Sequence, residues 1–335
     1  MQLTRLHVAD APPAGEIAPG GAVVTIGNFD GVHRGHQAVI RQAAERAREL
    51  GLSLFVVIFE PLPREYFAES RGVEPVARLT RLRERFTAFA RLGVVDRLVL
   101  LPFNRRLAEL PADQFVTRLL LAALGARHVV IGDDFRFGAQ RRGDFALLES
   151  LGREHGFGVE RAQTVSLDGE RVSSTRVRAA LGTRDVVEAA RLLGHPFFLC
   201  GRVMHGDKRG RQLGFPTANI ALRRRLSPLR GVFLVRMSGI DGGPRYGVAN
   251  IGTRPTVDGV EARLEVFLLD FEGDLYGRLV EVDFLAAIRD ERRFESLDAL
   301  VEQIERDVAE ARALIEAREH RGGPWPVDIN ERMTW

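Results

Sequence analysis

Short apolar runs recur through the first half of the chain, each followed by a stretch of helical spacing. The runs lie at 22–26, 54–59, 97–101, 127–131 and 158–165. Most are dominated by Val, Ile, Leu and Phe, the pattern of strands buried on both faces in a parallel sheet. Between them, apolar residues three and four apart predict helices at about 36–50, 78–92, 112–124 and 144–155. In the first of these, Val39, Ile40, Ala43, Ala44, Ala47 and Leu50 share one side. Strand and helix in alternation predict a doubly wound sheet with ligands at the carboxyl ends of its strands.

After Leu181 the pattern changes. A short helix at about 184–193 leads through Gly194-His195-Pro196 into a glycine-rich, strand-rich region. Strands are predicted at 197–204, 232–237, 245–250, 263–270 and 279–285, separated by turns such as Asp241-Gly242-Gly243 and Asp258-Gly259. An antiparallel barrel fits that spacing. A long amphipathic helix follows, with Leu297, Leu300, Val301, Ile304, Val308, Ala311 and Ile315 on its predicted buried face. The organisation expected is a first domain over 1–183, a linker helix over 184–195, a second domain over 196–320 and a tail over 321–335. That Gly/Pro-rich tail, with Trp325 and Trp335, is expected to be loosely held.

Composition narrows the class. At 335 residues, 45% hydrophobic and 28% charged, the chain has the make-up of an ordinary soluble protein. Its one cysteine, Cys200, rules out an intrachain disulfide and a thiolate metal site, and points to the cytoplasm. No apolar run approaches a membrane span, and no signal-peptide pattern opens the chain. The formal charge is only +3. Arginine runs such as Arg223-Arg224-Arg225 read as a solvated loop, without the interleaved aromatics of a nucleic-acid surface. Lys208 is the only lysine among 48 basic residues, and it falls in a glycine-rich loop.

Four stretches of the first half carry candidate chemistry. Gly27-Asn28-Phe29-Asp30-Gly31-Val32-His33-Arg34-Gly35-His36 joins the first predicted strand to a helix. Backbone N–H groups and the positive helix end gather there, an anion site to which histidines add donors. Phe59-Glu60-Pro61-Leu62-Pro63-Arg64 ends the second strand, with two prolines expected to stop pairing and turn the chain out. Gly132-Asp133-Asp134-Phe135-Arg136-Phe137-Gly138 ends another strand. Ser173-Ser174-Thr175-Arg176-Val177-Arg178 places hydroxyls at a helix start. Each has a plainer reading: a surface histidine pair, a core Phe59, aspartates satisfying turn amides, and Ser174 as a helix cap.

In the second half, Gly201 to Asn219 holds several glycines and cationic side chains. Glycine lets backbone amides approach phosphate, and Lys208 adds charge. A mobile basic hairpin tip is the alternative. Pro216-Thr217-Ala218-Asn219 then supplies a hydroxyl and an amide oxygen, hard donors that with ATP phosphates suit Mg²⁺. Glu265 is a carboxylate in an otherwise apolar strand: either an outward residue or a general base for an alcohol nucleophile.

From about residue 20 to 315 the chain resembles the bacterial bifunctional riboflavin kinase/FAD synthetases, with His33-Arg34-Gly35-His36 as the H-x-G-H signature of the nucleotidylyltransferase superfamily. The resemblance implies a Rossmann-like adenylyltransferase domain followed by a six-stranded antiparallel kinase barrel with a C-terminal helix. The second domain would phosphorylate riboflavin to FMN with ATP and Mg²⁺. The first would adenylylate FMN to FAD and release pyrophosphate. It implies that His33 and His36 contact ATP phosphates, with Gly27, Asn28, Asp30, Gly35, Ser174, Thr175 and Arg178 completing that nucleotide site. Phe59, Asp134, Phe135, Phe137 and Arg289, the last within Ile288-Arg289-Asp290-Glu291, would bind flavin. Gly201, Gly206, Lys208, Gly210 and Gly214 would bind kinase ATP, Thr217 and Asn219 would hold Mg²⁺, and Glu265 would be the base. Further matches are 247–256, including Asn250, and Asp274-Leu275-Tyr276-Gly277. Phe267 replaces a usual histidine, Leu62 a commonly polar residue and Val172 an isoleucine. The partners expected are riboflavin, FMN and ATP, with no nucleic acid or membrane, and a monomer or weak homo-oligomer. A chain retaining one activity, or a flavin-sensing regulator without turnover, are the alternatives.

Overall fold

Six parallel strands form the sheet of the first unit, in the order β1-β4-β3-β2-β5-β6. They are β1 (Gln2–Arg5), β2 (Ala22–Ile26), β3 (Ser53–Glu60), β4 (Arg97–Pro102), β5 (Ala126–Ile131) and β6 (Gly158–Arg161). The computed structural model describes residues 1–6, 17–205, 214–256, 259–321 and 325. By contacts the chain divides into Met1–Val76 with Arg85–Val172, and Ala77–Glu84 with Ser173–Trp335. Nothing in the hydrophobic spacing marks 77–84 as packing with the second unit.

Every residue of β2 is buried, as a central parallel strand requires. The chain runs outward from β2 through β3 to β4, then crosses back to β5 on the other side. That reversal puts a crevice at the carboxyl ends of β2 and β5, where ligands bind in such sheets. Helix α1 (Arg34–Leu50) leaves β2 and buries Ile40, Ala43, Ala44 and Ala47, small residues that seat it close to the sheet. Gly51 ends it in the left-handed conformation.

Several expected elements differ. The segment expected as strand 158–165 pairs only to Arg161, and beyond it β7 (Ser166–Leu167) and β8 (Glu170–Arg171) form a hairpin through Asp168-Gly169, both with positive φ. The helix expected over 112–124 is a short α-turn at Ala112–Gln114 and a π-helix over Phe115–Ala123. Pro63 does not merely turn the chain out. It occupies the first turn of α2 (Pro63–Ser70), where its missing N–H costs nothing, and the Leu62 N–H donates to Glu65 Oε2 at 3.0 Å. The helix expected from residue 78 begins at Leu82, as α3 (Leu82–Leu92). Helix α4 (Phe145–His155) matches its expectation to a residue, with Asp144 as N-cap.

The second unit opens with α5 (Ser174–Gly182) and α6 (Val186–Leu193). A closed barrel of β9 (Phe197–Met204), β10 (Thr217–Ala221), β11 (Gly231–Ser238), β12 (Arg245–Thr256), β13 (Gly259–Leu268) and β14 (Leu279–Arg289) follows, in the order β10-β13-β12-β11-β14-β9. Closure leaves no unpaired edge. Strand β10 was absent from the pattern reading because Thr-Ala-Asn-Ile-Ala carries too few large apolar residues. Helix α7 (Leu297–Arg321) lies on the outer face, where Ala311 meets Val232, Leu234, Val248 and Leu285. One expectation for this end of the chain fails: Leu297 is exposed, while Asp307 is buried and takes a bidentate pair from Arg289 at 2.8 Å. Of the tail beyond α7 only Trp325 is described, its Nε1 donating to the Tyr246 hydroxyl at 3.0 Å, and Trp335 lies outside the described residues.

A buried ion pair pins 77–84 into this unit. Arg224 Nη2 donates to both Glu84 oxygens, at 2.9 and 2.7 Å, and the Cys200 N–H adds a bond at 3.1 Å. Glu84 is 1% exposed, so removing it strands a buried guanidinium. Glu84→Ala is expected to cost about 3–5 kcal/mol, measured by urea unfolding followed by circular dichroism; a loss under about 1 kcal/mol would assign the pair no more than the worth of a surface bridge. Among the described residues no helix is long and apolar enough to cross a membrane.

Candidate active sites

The turn between β2 and α1 is held in conformations that side chains resist. Phe29 and Val32 have φ of 45° and 44°, and Gly31 has 90°. A β-branched residue in the left-handed region costs on the order of 1–3 kcal/mol, and such strain gathers at functional sites. Gln37 Nε2 donates to Val32 O at 2.9 Å, holding the turn. His33 is the N-cap of α1, its Nδ1 accepting from the His36 N–H at 3.4 Å. In the neutral ring that leaves the proton on Nε2, as a donor. The two imidazoles stack at 3.6 Å between centroids, 18° from parallel, and Phe29 meets His36 edge-on. Burial, then the charge of Arg171, pushes the His36 pKa down to about 3. His36 is therefore neutral at physiological pH, and its Nδ1 is buried without a hydrogen-bond partner. Gly35 sits close to this ring: a Cβ would lie 3.2 Å from His33 Nδ1, so the ring would have to shift by a few tenths of an ångström.

A residue that the sequence reading missed fastens this mouth from behind. Arg85 of α3 is 0% exposed, and its Nη1 donates to Asn28 O at 3.3 Å and to Phe59 O at 3.2 Å. Its Nη2 bonds Glu60. One buried guanidinium thus ties the loop that follows β2 to the carboxyl end of β3. No spacing rule singles out one arginine among many on an amphipathic helix.

Other predicted residues of the first unit divide. Asp30 is buried and paired with Arg64 at 2.5 Å. Asn28 presents its side chain to solvent. At the end of β5, Arg171 bridges Asp133 at 2.8 Å and Asp134 at 3.2 Å, and Thr164 donates to Asp133 at 2.8 Å. Phe59 and Phe137 are core residues, 8% and 4% exposed, and Phe137 packs against Phe115. Phe135 stacks on Phe137 and is only partly buried, so it has the ring surface to offer. Gly27 faces the Phe29 ring.

Ser174, Thr175 and Arg178 group with the second unit, at the start of α5. The cap is Ser173, whose Oγ accepts from the Arg176 N–H at 3.3 Å, so the plainer reading of Ser174 as the cap is displaced by one residue. Arg178 is anchored by Ala77 O at 2.8 Å.

In the barrel, Asn219 of β10, Glu265 of β13 and Asn250 of β12 are direct neighbours across three adjacent strands. Cross-strand partners share a face, so the three side chains form one polar row. Arg263, two residues from Glu265 on that face, was another residue missed. Its Nε lies 2.6 Å from Glu265 Oε1, and its Nη2 donates to Asn219 Oδ1 at 2.6 Å. A cavity of about 510 Å³ opens at the Asn219 end, lined by Val203, Pro216–Asn219, Val266, Leu268 and the loop Phe271–Tyr276. Thr217 and Asn219, two apart on β10, turn to one face beside it. Hard oxygen donors at that spacing fit an ion such as Mg²⁺, which takes few protein ligands and completes its shell with phosphates and water. Among the described residues no group of three or more His, Cys, Asp or Glu could hold a metal by itself.

Gly201 is buried within β9, and a Cβ there would strike Ile220 and Ala221 of β10, so its smallness serves strand packing. Gly214 has φ 85° with open space around it. Arg289 commits its guanidinium to Asp307, which docks α7. Gly206, Lys208 and Gly210 lie outside the described residues.

A histidine-lined helix start on a parallel sheet, and a carboxylate beside two oxygen donors on a closed barrel, define a two-domain transferase of phosphorus groups. A family model described as FAD synthetase matches residues 16–176, and one described as riboflavin kinase matches 193–315. The chain is 55% identical over 302 residues to the bifunctional riboflavin kinase/FMN adenylyltransferase of Pseudomonas fluorescens, covering 90% of this chain and 95% of that one. It is 50% identical over 292 residues to the enzyme of that name from Escherichia coli K12, covering 87% and 92%. A solved chain from Streptococcus pneumoniae described as a macrolide-efflux protein is 33% identical with a TM-score of 0.78, covering 93% of this chain and 99% of that one. The chain belongs to the bifunctional riboflavin kinase/FMN adenylyltransferase family. It is an ATP-using flavin enzyme with an FAD synthetase domain followed by a riboflavin kinase domain.

Proposed function

We propose that the barrel site makes FMN and that the site at the start of α1 consumes it. The observation carrying the first half is Glu265, the one carboxylate of the row, paired across the strands with Asn219, which lines the cavity. Riboflavin's terminal ribityl hydroxyl attacks the γ-phosphorus of ATP as the bond to the β,γ-bridging oxygen breaks. ADP leaves, and Glu265 accepts the hydroxyl proton. Thr217 and Asn219 would hold Mg²⁺, which when bound neutralises charge on the transferring phosphates. Arg263 keeps Glu265 and Asn219 in register before substrates arrive.

At α1 the nucleophile is a phosphate oxygen of FMN, already ionised, so no base is required. It attacks the α-phosphorus of ATP, the bond to pyrophosphate breaks, and charge builds on the α-phosphate oxygens. His33 and His36, N–H donors at a positive helix end, stabilise that charge. Gly27, Asn28 and Gly35 shape the turn, and Ser174, Thr175 and Arg178 would bind nucleotide. Phe135 and Asp134 contribute to flavin binding. Gly206, Lys208, Gly210 and Gly214 bind kinase ATP.

The protein works in the cytoplasm as a monomer or weak homo-oligomer, on small molecules only. Its arginines support this, because many are spent on acids, such as Arg46 on Glu49 and Glu160, Arg278 on Asp241 and Arg312 on Asp270. Product chromatography with riboflavin, ATP and Mg²⁺ tests the whole reading, FMN being expected first and FAD after it. FMN alone would leave only the kinase, and FAD made only from supplied FMN would leave only the adenylyltransferase. No product from either flavin would favour a sensor.

A further inference from the structure

The polar row has an end that the mechanism leaves unused. Asn250 sits on β12 directly across from Glu265, on the side away from Asn219. Its Oδ1 is buried and has no hydrogen-bond partner. A buried amide oxygen left unpaired is costly, and native proteins leave few such groups without a functional or bridging partner. The flanking residues Ala249 and Ile251 are fully buried in the barrel, so the strand fixes which face Asn250 turns to.

The order of the row says which ligand. The cavity and the hard oxygen donors lie at the Asn219 end. Glu265 is in the middle, and Asn250 is beyond it. A phosphate donor seated at the first end must meet its acceptor across Glu265, at the second. An amide oxygen needs a donor, which phosphates lack and a polyol supplies. We infer that Asn250 is a substrate-binding residue of the kinase site, its Oδ1 accepting a hydrogen bond from a secondary hydroxyl of the ribityl chain. That bond sets the chain so that its terminal hydroxyl reaches Glu265. The inference rests on the kinase reading above, and it makes Asn250 a determinant of specificity for polyol-bearing flavins.

The test is a cycle of substrate against side chain. The intact protein and Asn250→Leu are each assayed for phosphorylation of riboflavin and of its three monodeoxy-ribityl analogues. With the intact protein, one analogue is expected to lose about 10- to 100-fold in kcat/KM. Asn250→Leu is expected to lose a similar factor on riboflavin and to show no further loss on that analogue. Its KM for MgATP and its FMN-to-FAD activity should be unchanged, the latter showing that the protein is folded. If Asn250→Leu does not fold, the analogue series with the intact protein still decides: losses under about threefold for all three overturn the inference. Multiplying losses overturn it, as does an effect on MgATP or Mg²⁺ requirement in place of riboflavin, which would make Asn250 a metal ligand. Failure of the intact protein to phosphorylate riboflavin at all would instead remove the kinase reading, and the inference with it.

Discussion

Glu265→Gln is expected to lower FMN formation from riboflavin by about 10²- to 10⁴-fold, the usual worth of a positioned proton acceptor. Glutamine keeps the size and one oxygen of glutamate, so Arg263 retains a partner and Asn219 Oδ1 stays held at 2.6 Å. The KM values for riboflavin and MgATP should therefore change little, and the loss should lie in kcat. Conversion of FMN to FAD, which uses the turn at α1, should continue at the intact protein's rate. The rival account makes Glu265 a partly exposed partner for Arg263 and nothing more. Ion pairs of that kind contribute roughly 0–1 kcal/mol to stability, and their loss leaves catalysis untouched. The two accounts thus differ by orders of magnitude in one rate. A loss below tenfold would leave the rival account standing. Loss of both reactions in a folded variant would instead mean that the two chemistries are not divided between the units.

The elements legible in the sequence are those whose side chains repeat one environment. β2 and β3 are buried on both faces and read as unbroken apolar runs, while α1 reads as a period of three and four. The turn between them was legible for another reason, since Gly31 and the histidines stand out where an apolar run breaks into a helical period. β10 was invisible because one of its faces carries Thr217 and Asn219, which border the cavity and are only partly buried. Long-range polar pairs were equally hidden. Glu84 and Arg224 are 140 residues apart, and Arg85 differs from its exposed neighbours only in where α3 is placed. Hydrophobic pattern specifies which face turns inward, but it does not say which charged side chain finds a buried partner. Asp307 shows the same limit within α7, where a carboxylate that the apolar period passed over is buried because Arg289 reaches it.

His36→Asn is expected to slow FMN adenylylation by about 10²- to 10³-fold, the measured scale for removing one donor from a developing oxyanion. Riboflavin phosphorylation should persist in the same protein. The pH behaviour separates donation from acid catalysis. With its pKa near 3, His36 in the free enzyme is neutral across pH 5–9, so the adenylylation profile should show no limb near 6.5 that disappears in the variant. Stability supplies a second reading. In the unfolded chain this imidazole takes up a proton below about 6.5, whereas the folded protein refuses it until about 3. Acidification from pH 8 to 5 therefore favours the unfolded state through His36, and asparagine removes that bias. Thermal melting at the two pH values should show a smaller loss for His36→Asn than for the intact protein. Equal losses would mean that His36 protonates in the folded state near its ordinary pKa. The site would then present a stacked imidazolium to ATP, and its contribution would be charge in place of a neutral hydrogen bond.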